Sequence, residues 1–346
     1  MSTVLIVGGG LSGAAAAREL ADSGRQVLII EASGALGGKA RGYGCKATDK
    51  CANCGVCLTR NLWEYVENSS MVDVRLYTRL VDLAGEKGNY TAALKNAASI
   101  NYISDISDVV VATGFNQTTK ENFNGFVEIE GGSESAKGPV ITGSDIERIM
   151  KERGETSLFE KAPEKVAFIQ CYGSRDIKES AMYCSRVCCA YSTRAAKVIK
   201  KYYPECEITF FYMEMQQVKS GDYLDELKGL GINFIKCRPV SVSVGERACV
   251  AFDNPETGKR EEQAFDFVVL SDGIRPGEDA GRIAEICGLG QTEAGFLRYV
   301  KDMGDADRTG IYIAGCAKGP YKIEETYADS VAVARRILFP KKSGKS

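Results

Sequence analysis

A glycine-rich loop between a buried strand and a helix constrains the fold of this chain more than any other feature. The apolar run Thr3–Val7 is typical of a strand in a parallel sheet, and the loop Gly8-x-Gly10-x-x-Gly13 follows it at once. An alanine-rich helix from Ala14 to Ser23 comes next, followed by a second apolar strand that closes on Glu31. Strand, glycine loop, helix and strand in this order predict a doubly wound α/β domain that binds a dinucleotide.

The three glycines have separate roles in such a loop. Gly8 permits the tight turn, Gly10 lets the backbone approach a pyrophosphate, and Gly13 lets the helix pack close to the sheet. The N–H groups and the dipole of the helix favour the phosphates. Glu31 is placed to bind the adenosine ribose hydroxyls, and its charge would repel the 2′-phosphate of NADP. A glycine turn without a ligand is the alternative, and the flanking elements argue against it.

Three further segments favour FAD over NAD. Gly37-Gly38-Lys39 is similar to the glycine pair of flavoproteins with two dinucleotide-binding domains, and Val111-Ala112-Thr113-Gly114 resembles their internal A-T-G element. The segment from Gly310 to Gly315 resembles the C-terminal strand that lies beside the flavin. In those flavoproteins an Asp usually follows this strand and contacts the ribityl chain, whereas this chain has Cys316, so the detailed flavin contacts stay open.

The same resemblance implies that the helix beginning near Ile323 directs its N-terminus at the flavin pyrimidine ring, where negative charge develops on reduction. The predicted FAD-binding residues are Gly8, Gly10, Gly13, Glu31, Gly38, Lys39, Ala112, Thr113, Gly114, Gly315, Cys316, Ile323, Glu324 and Glu325.

The chain has 13 cysteines and no histidine, so the usual general base and the usual nitrogen ligand of metals are missing. A strand begins at Val4 without a charged leader, and there is no apolar run of about 18 residues. We therefore expect a cytoplasmic protein without a membrane span. The net charge of −2 argues against nucleic-acid binding. Since disulfides are disfavoured in the cytoplasm, clustered cysteines there indicate metal or redox chemistry.

The quartet Cys171-x12-Cys184-x3-Cys188-Cys189 is the strongest such cluster. Cys171 follows a predicted strand over Lys165–Gln170, and a helix is predicted over Ser185–Tyr202, with Cys184 and Cys188 one helical turn apart on one face. Four thiolates are the usual requirement of a [4Fe–4S] cluster. The quartet also stands where a second dinucleotide loop would be, and no G-x-G-x-x-G occurs there. Zinc, a disulfide and buried structural cysteines are the alternatives.

A second group, Cys45-x5-Cys51-x2-Cys54-x2-Cys57, allows three interpretations. It could ligate another cluster, it could form a redox-active dithiol such as Cys51/Cys54, or it could be inert or a docking surface. The isolated cysteines are predicted to be small buried residues; these are Cys206, Cys237, Cys249 and Cys287.

A second alternation of strands and helices begins near residue 164, so the fold class is α/β with two doubly wound, dinucleotide-binding-type domains in a thioredoxin-reductase-like flavoprotein architecture. The predicted FAD-binding domain is discontinuous, residues 1–145 plus 278–346. Residues 146–277 form the second Rossmann-like domain, which carries the iron–sulfur cysteines. The basic residues after Pro340 are predicted to be a frayed tail.

Four segments carry a resemblance to a known family. Ala167–Asp176 and Tyr183–Cys189, together with Val140–Gly143 and Ala314–Pro320, resemble the HdrA subunit of heterodisulfide reductase. The resemblance covers nearly the whole chain. In that family the matching cysteine pattern ligates a [4Fe–4S] cluster beside FAD. The resemblance therefore implies that Cys171, Cys184, Cys188 and Cys189 are the metal ligands.

The chain lacks the ferredoxin modules of the long methanogen form, because no C-x2-C-x2-C-x3-C-P run occurs in it. It is similar instead to the short HdrA-like subunit of the heterodisulfide-reductase-like complex of sulfur oxidisers. That resemblance implies a homodimer that works with B-like and C-like subunits, and it does not carry over flavin-based electron bifurcation.

The expected function is an FAD- and [4Fe–4S]-containing electron-transfer subunit, which makes the protein an oxidoreductase of dissimilatory sulfur oxidation. A stand-alone NAD(P)H-dependent flavin disulfide reductase that uses Cys51/Cys54 is the alternative, although it would need the second nucleotide loop that is missing. A scaffold that retains its cofactors only structurally is a third possibility.

Overall fold

The computed structural model describes residues 2–118, 128–130, 138–152, 157–216, 223–300 and 305–340. The predicted tail after Pro340 lies outside the described residues. The strands, in chain order, are β1 (Thr3–Val7), β2 (Val27–Ile30), β3 (Val72–Arg75), β4 (Arg79–Glu86), β5 (Asn89–Lys95), β6 (Ile100–Val111), β7 (Phe115–Gln117), β8 (Glu128–Glu130), β9 (Val140–Thr142), β10 (Lys165–Tyr172), β11 (Glu207–Phe211), β12 (Ile232–Ile235), β13 (Ser241–Val244), β14 (Ala248–Asp253), β15 (Arg260–Phe265), β16 (Phe267–Asp272), β17 (Ile274–Pro276) and β18 (Ile311–Ile313).

The helices connect these strands and cover the sheets. In chain order they are α1 (Leu11–Asp22), α2 (Val56–Asn68), α3 (Gly143–Glu152), α4 (Cys188–Tyr202), α5 (Tyr223–Gly229), α6 (Ala280–Cys287) and α7 (Ile323–Leu338), with short 3-10 turns at Gly38–Gly42 and Gly315–Lys318. Within the described ranges, no helix combines the length and the apolar character needed to cross a bilayer.

The chain divides into two compact units. The first contains residues 1–41, 55–116 and 276–346, and the second contains residues 42–54 and 117–275. The sequence-based division set the first change of domain at residue 145 and kept residues 42–54 with the first domain. Contacts therefore group two stretches, 42–54 and 117–145, with the second unit.

The first unit is built on a seven-stranded sheet in the order β3-β2-β1-β6-β5-β4, with β18 paired to β6. The pairs β2–β3, β1–β2, β1–β6 and β6–β18 are parallel, whereas β4 and β5 form an antiparallel meander with β6. One face of this sheet packs on α1, α2 and α7, and the other packs on α6. The carboxyl ends of β1, β6 and β18 therefore meet at one edge, which is where a doubly wound sheet binds its ligand.

Alanines form much of the contact surface of α1. Ala14 to Ala17 are all buried against the sheet and α7. Their small side chains let the helix axis come close to the sheet, and Leu20 fills the remaining space one turn later with a burial worth about 1.5–3 kcal/mol.

The second unit holds a five-stranded parallel sheet in the order β12-β11-β10-β16-β9. Helices α3 and α4 pack on one face of it, and the stacked rings of Phe168 and Phe210 lie in that core at 4.7 Å between centroids. The opposite face packs on a smaller sheet in the order β15-β14-β13-β8. In β14 the residues Ala248, Val250 and Phe252 point to this core, and their alternation is the sequence signal of a half-buried strand.

Candidate functional site

Two glycines of the N-terminal loop are required by packing within the protein. Gly8 has a φ of +108°, and a Cβ there would lie 2.5 Å from the carbonyl oxygen of Ala112. A Cβ on Gly13 would lie 2.0 Å from the carbonyl oxygen of Gly8. The loop therefore turns tightly and α1 packs close against it, as the sequence pattern predicts.

Gly10 differs from its two neighbours in the loop. A Cβ on Gly10 would meet only the Cα of Gly38, at 4.0 Å, so protein packing alone does not require glycine at this position. Helix α1 starts at the next residue, Leu11, with no side-chain cap and no acidic residue in its first turn. The first N–H groups of this helix have no side-chain cap and lie beside the bare backbone of Gly10, an arrangement that suits the pyrophosphate of a dinucleotide.

Glu31 lies directly after β2 and is anchored to the glycine loop. Its Oε2 accepts the N–H of Gly9 at 2.8 Å, and its Oε1 accepts the N–H and the hydroxyl of Ser33, both at 2.8 Å. A cavity of about 220 Å³ in the first unit adjoins this carboxylate, and Gly8 and Thr113 also line it. The remaining lining comes mainly from the start of β4 and from the turn that leads into α6.

The other predicted flavin-binding residues of the N-terminal half lie around the same edge. Gly38 has a φ of +50° and faces Gly10, whereas Lys39 is exposed. Ala112 and Gly114 follow β6, and Gly114 has a φ of +76°. The predicted FAD-binding residues of the N-terminal part of the chain are thus brought together near the carboxyl ends of β1, β2 and β6.

The turn that follows β18 lies against the N-terminus of α1. Gly315 has a φ of +61°, and a Cβ there would lie 1.9 Å from the hydroxyl of Ser12 in the first turn of α1. Cys316, which replaces the usual Asp, is buried, and its thiol contacts the carbonyl of Tyr321 at 3.5 Å and the hydroxyl of Thr326 at 3.8 Å. Burial raises the pKa of Cys316 to about 11, so this thiol stays neutral and does not supply the charge of the residue that it replaces.

An ion pair that the sequence did not reveal holds this turn. Asp329 on α7 accepts the N–H of Gly315 at 2.8 Å and pairs with the ammonium of Lys318 at 2.6 Å. Lys318 is buried, and the rings of Tyr299 and Tyr321 lie 5.2 and 5.8 Å from its Nζ. The two charges fix the turn at Gly315–Lys318 to α7.

One backbone N–H at the N-terminus of α7 finds its hydrogen-bond acceptor within the first turn of the same helix. The N–H of Lys322 donates to Oε2 of Glu325 at 2.9 Å, which is one half of a capping box. Glu325 therefore has a structural role in the protein, and Ile323 and Glu324 form the rest of this first turn together with Thr326. Glutamate at the third helical position was the signal from which this cap could have been predicted.

In the second unit, three of the four predicted ligand cysteines are in direct contact. The thiol of Cys188 is hydrogen-bonded to those of Cys171 and Cys189, and all three residues are buried. Cys184 is half-buried and feels the charges of Cys171 and Cys189, and its sulfur accepts the N–H of Arg186 at 3.3 Å. All four sulfurs therefore belong to one neighbourhood at the carboxyl end of β10, in which Cys171 is the second-last residue.

The prediction that Cys184 and Cys188 share one helix face was wrong. Helix α4 begins at Cys188, and the preceding residues, including Arg186 with a φ of +63°, form an irregular turn. Cys184 approaches from this turn because a left-handed residue reverses the backbone before the helix starts. Only Cys188 and Cys189 occupy the helix N-terminus.

The hydrogen bonds among the thiols shift their pKa values in opposite directions. The hydrogen bond with Cys188 lowers the pKa of Cys171, and the hydrogen bond between Cys188 and Cys189 lowers the pKa of Cys189 to about 7. The pKa of Cys188 is raised, because its single S–H lies between the sulfurs of Cys171 and Cys189 and its side chain is fully buried. Arg175 adds a smaller lowering at Cys171 and Cys189. Two of the four groups thus favour the thiolate form that iron requires.

The chain around the quartet is conformationally strained. Of the seven non-glycine residues with positive φ in the described ranges, four lie between positions 171 and 186; these are Cys171, Arg175, Ser180 and Arg186. Each such residue costs about 1–3 kcal/mol, and such strain concentrates at functional sites.

Within the described residues, no three cysteine, aspartate or glutamate side chains are placed to bind a single metal ion. A four-iron cluster makes a different demand, because each cysteine binds a different iron. The donor set of four neighbouring thiols, two of them with lowered pKa, suits that demand.

The second cysteine group is mostly exposed. Cys45, Cys51 and Cys54 belong to the segment 42–54 of the second unit, whereas Cys57 lies in the first turn of α2 in the first unit. The sulfurs of Cys45 and Cys51 accept N–H groups two residues later, at 3.5 and 3.4 Å. All 13 cysteines are free thiols, and the three interpretations of this group stay open.

The segment 42–54 is anchored to α3 and α4. The buried side chains of Lys46 and Glu147 form an ion pair at 2.5 Å, and Glu147 also accepts the N–H of Gly44 at 3.3 Å. Arg194 on α4 donates to the carbonyl of Ala52 at 3.1 Å.

The predicted burial of the isolated cysteines is confirmed for Cys206 and Cys287, whereas Cys237 and Cys249 are only half-buried. Burial raises the pKa of Cys206 and Cys237 to about 11 and that of Cys287 to about 12. These thiols are unreactive in neutral solution.

Comparison with known proteins identifies relatives among flavin-dependent oxidoreductases. A family model described as FAD dependent oxidoreductase matches residues 3–97. The HdrA subunit of the Ferredoxin:CoB-CoM heterodisulfide reductase of Methanosarcina mazei is 25% identical over 97% of this chain and 52% of its own length. The HdrA subunit of the H(2):CoB-CoM heterodisulfide,ferredoxin reductase of Methanothermobacter marburgensis is 33% identical over 70% of this chain and 38% of its own length. The chain spans about half the length of the first of these relatives and less of the second.

Solved structures establish the fold. The thioredoxin reductase of T. acidophilum aligns over 97% of both chains with a TM-score of 0.66 and 17% identity. The thioredoxin reductase of Lactococcus lactis aligns over 98% of both chains with a TM-score of 0.65 and 17% identity. The predicted fold class is therefore confirmed.

Fold and glycine-loop site together define an FAD-dependent oxidoreductase of thioredoxin-reductase-like architecture. More particularly, the chain is a flavoprotein similar to the HdrA subunit of heterodisulfide reductase. The predicted family resemblance and the oxidoreductase class are confirmed.

Proposed function

We propose that this chain is the FAD- and [4Fe–4S]-containing electron-transfer subunit of a heterodisulfide-reductase-like complex. The observation that carries the proposal is the contact of the Cys171, Cys188 and Cys189 thiols at the carboxyl end of β10, with Cys184 beside them. Bound FAD exchanges electrons singly or in pairs, and a bound cluster exchanges them singly.

The first unit supplies the flavin site. The bare backbone of Gly10 and the uncapped N-terminus of α1 would receive the pyrophosphate, and Glu31 would bind the ribose. The Lys318–Asp329 pair would hold the turn after β18 in place beside the flavin.

The second unit supplies the cluster ligands in place of a second nucleotide site. In this unit the strand that leads to the quartet is β10, and Cys171-Tyr172-Gly173-Ser174 stands at its end instead of a glycine-rich dinucleotide loop. The second unit therefore lacks the loop that would cradle the pyrophosphate of NADH or NADPH. A cluster as the electron outlet of the flavin accounts for both the loss of that loop and the presence of four thiols.

The cellular assignment rests on the family resemblance. We place the protein in the cytoplasm, as a homodimer that acts with B-like and C-like subunits in dissimilatory sulfur oxidation. Thirteen free thiols fit a reducing compartment.

Anaerobic purification followed by iron, sulfide and flavin analysis tests the proposal. We expect about four irons and four sulfides per FAD, and fewer than about two irons per flavin would contradict a [4Fe–4S] centre. Cys188→Ser should remove the iron and leave the flavin bound, because the two sites belong to different units. Cys206→Ser is the matched control, since Cys206 is equally buried and lies outside the quartet.

One further measurement separates the alternatives. Rapid bleaching of the flavin by NADH without any partner would favour the stand-alone disulfide reductase. A cluster that dithionite cannot reduce would favour the structural scaffold.

A further inference from the structure

The chain between Cys171 and Cys184 ends in a small rigid hairpin, residues 176–182. Asp176 and Ala181 exchange both backbone hydrogen bonds, at 3.1 and 3.0 Å, and both residues are buried. The N–H of Ser180 donates to the carbonyl of Ile177 at 3.1 Å and closes the tip. The hairpin thus connects two residues of the cysteine quartet.

Two large apolar side chains of this hairpin project into solvent. Ile177 is 77% exposed and Met182 is 70% exposed, although their neighbours Asp176 and Ala181 are buried. A single exposed apolar residue needs no explanation. Here two of them lie on one short hairpin, Ile177 six residues after Cys171 and Met182 two residues before Cys184, and we refer to their exposed side chains as the apolar patch.

Arginine contacts hold the hairpin in one conformation. Arg275 donates to the carbonyl of Glu179 at 3.0 Å and forms an ion pair with its carboxylate at 3.5 Å. Arg238 donates to the carbonyl of Arg175 at 2.5 Å. A partner would therefore meet a preformed surface, and binding would cost little conformational entropy.

The exposed charges around the patch are mainly positive. Lys178 in the hairpin, Arg186 two residues after Cys184, and Arg238, which contacts Arg175, are exposed and cationic. The exposed carboxylate of Glu214 pairs with Arg175 at 3.2 Å. A basic rim around an apolar centre is complementary to a protein with an acidic rim around its own apolar contact.

We propose that residues 176–182 are the docking surface for an acidic electron-carrier protein that exchanges electrons with the cluster of the second unit. The proposal rests on the function proposed above. Three of the ligand cysteines are buried, so a carrier cannot reach them directly and must approach through the neighbouring surface. In the transfer, the reduced carrier would lose one electron and the cluster that the four cysteines would hold would gain it, with no proton transferred and no bond formed or broken.

Reduction by an acidic 2[4Fe–4S] ferredoxin tests the docking surface. The double variant Ile177→Ser/Met182→Ser removes the apolar patch, and Tyr102→Ser is the control, because Tyr102 is 72% exposed but belongs to the first unit. Stopped-flow mixing of dithionite-reduced ferredoxin, freed of excess dithionite, with the oxidised protein gives the second-order rate constant. A third variant, Lys178→Glu, tests the basic rim.

We expect the double variant to lose at least about tenfold in this rate constant, the equivalent of one buried apolar contact, and Tyr102→Ser to match the wild type. The wild-type rate should fall as salt is added, and Lys178→Glu should be slower with a weaker salt dependence. Iron and flavin contents should be the same in all four proteins.

Each contrary result is informative. Unchanged rates in the double variant with full iron content would refute the docking surface and leave the proposed function intact. A wild-type protein without iron would refute the proposed function and the docking surface with it. A wild-type protein that ferredoxin does not reduce would refute the acidic carrier as the partner. Loss of a homodimer in the double variant, measured by analytical ultracentrifugation, would show that a second copy of this chain occupies the patch instead.

Discussion

Replacing Asp329 by alanine should destabilise the first unit strongly, because it leaves a buried ammonium without its counter-charge. The side chain of Lys318 is 2% exposed and that of Asp329 is 13% exposed, and the two charged atoms lie 2.6 Å apart. Breaking a buried ion pair by removing one partner costs about 3–5 kcal/mol. Asp329→Ala also removes the acceptor of the Gly315 N–H.

This cost is large against the total stability of a domain, which is about 5–15 kcal/mol. Urea unfolding followed by tryptophan fluorescence measures it. Trp63 is the chain's single tryptophan and packs against the core of the first unit, so its emission reports that unit. With a urea slope near 2–3 kcal/mol per molar, the midpoint should fall by about 1–2 M.

A surface pair of the same length provides the control. Arg335 and Glu19 also lie 2.6 Å apart, but their side chains are 63% and 25% exposed. Glu19→Ala should leave the midpoint unchanged within error, because water solvates the remaining charge. If Glu19→Ala and Asp329→Ala shift the midpoint equally, burial does not govern the strength of these pairs, and the reasoning is refuted.

Three further predictions concern both units. Gly10→Ala should fold normally and bind FAD at least about tenfold more weakly. Gly13→Ala should lower the melting temperature, because of the two new Cβ atoms only the one at position 13 would clash with protein atoms. Flavin fluorescence measures the first effect and thermal unfolding the second. Burial raises the pKa of Asp272 to about 7, so the stability of the second unit should fall as the pH rises from about 4 to 7. Asp272→Asn should abolish this pH dependence and should stabilise the second unit by about 2–4 kcal/mol above pH 7. Melting curves recorded at pH 5 and 8 measure both effects. Glu147→Ala should leave Lys46 buried and unpaired and should accelerate tryptic cleavage within residues 42–54, and unchanged digestion would contradict the anchoring role of that pair.

Local patterns in the sequence predicted the first unit well. The strand Thr3–Val7 and the helix beginning near Ile323 agree with β1 and α7, because apolar runs and helical periodicity are decided by neighbours in the chain. The convergence of Gly8, Glu31 and Thr113 on one cavity also follows from the strand order alone.

Other features depend on contacts between residues distant in the chain and could not be predicted from the sequence. The start of α4 at Cys188 depends on the left-handed backbone at Arg186, which arginine rarely adopts without tertiary support. The Lys318–Asp329 pair was hidden because nothing in the sequence distinguishes either residue from an ordinary surface charge. The sheet of β13, β14 and β15 was missed, although the alternation in β14 could have revealed it.

The anchoring of residues 42–54 has a consequence for synthesis of the protein in the cell. Lys46 and Glu147 are 101 positions apart, so at about 5–20 residues per second the lysine leaves the ribosome roughly 5–20 s before its partner exists. During that interval Cys45, Cys51 and Cys54 lack the helices α3 and α4 on which their segment later rests. Their thiols therefore meet oxidants and thiophilic metals from the first seconds of translation, before the second unit holds their segment in one place.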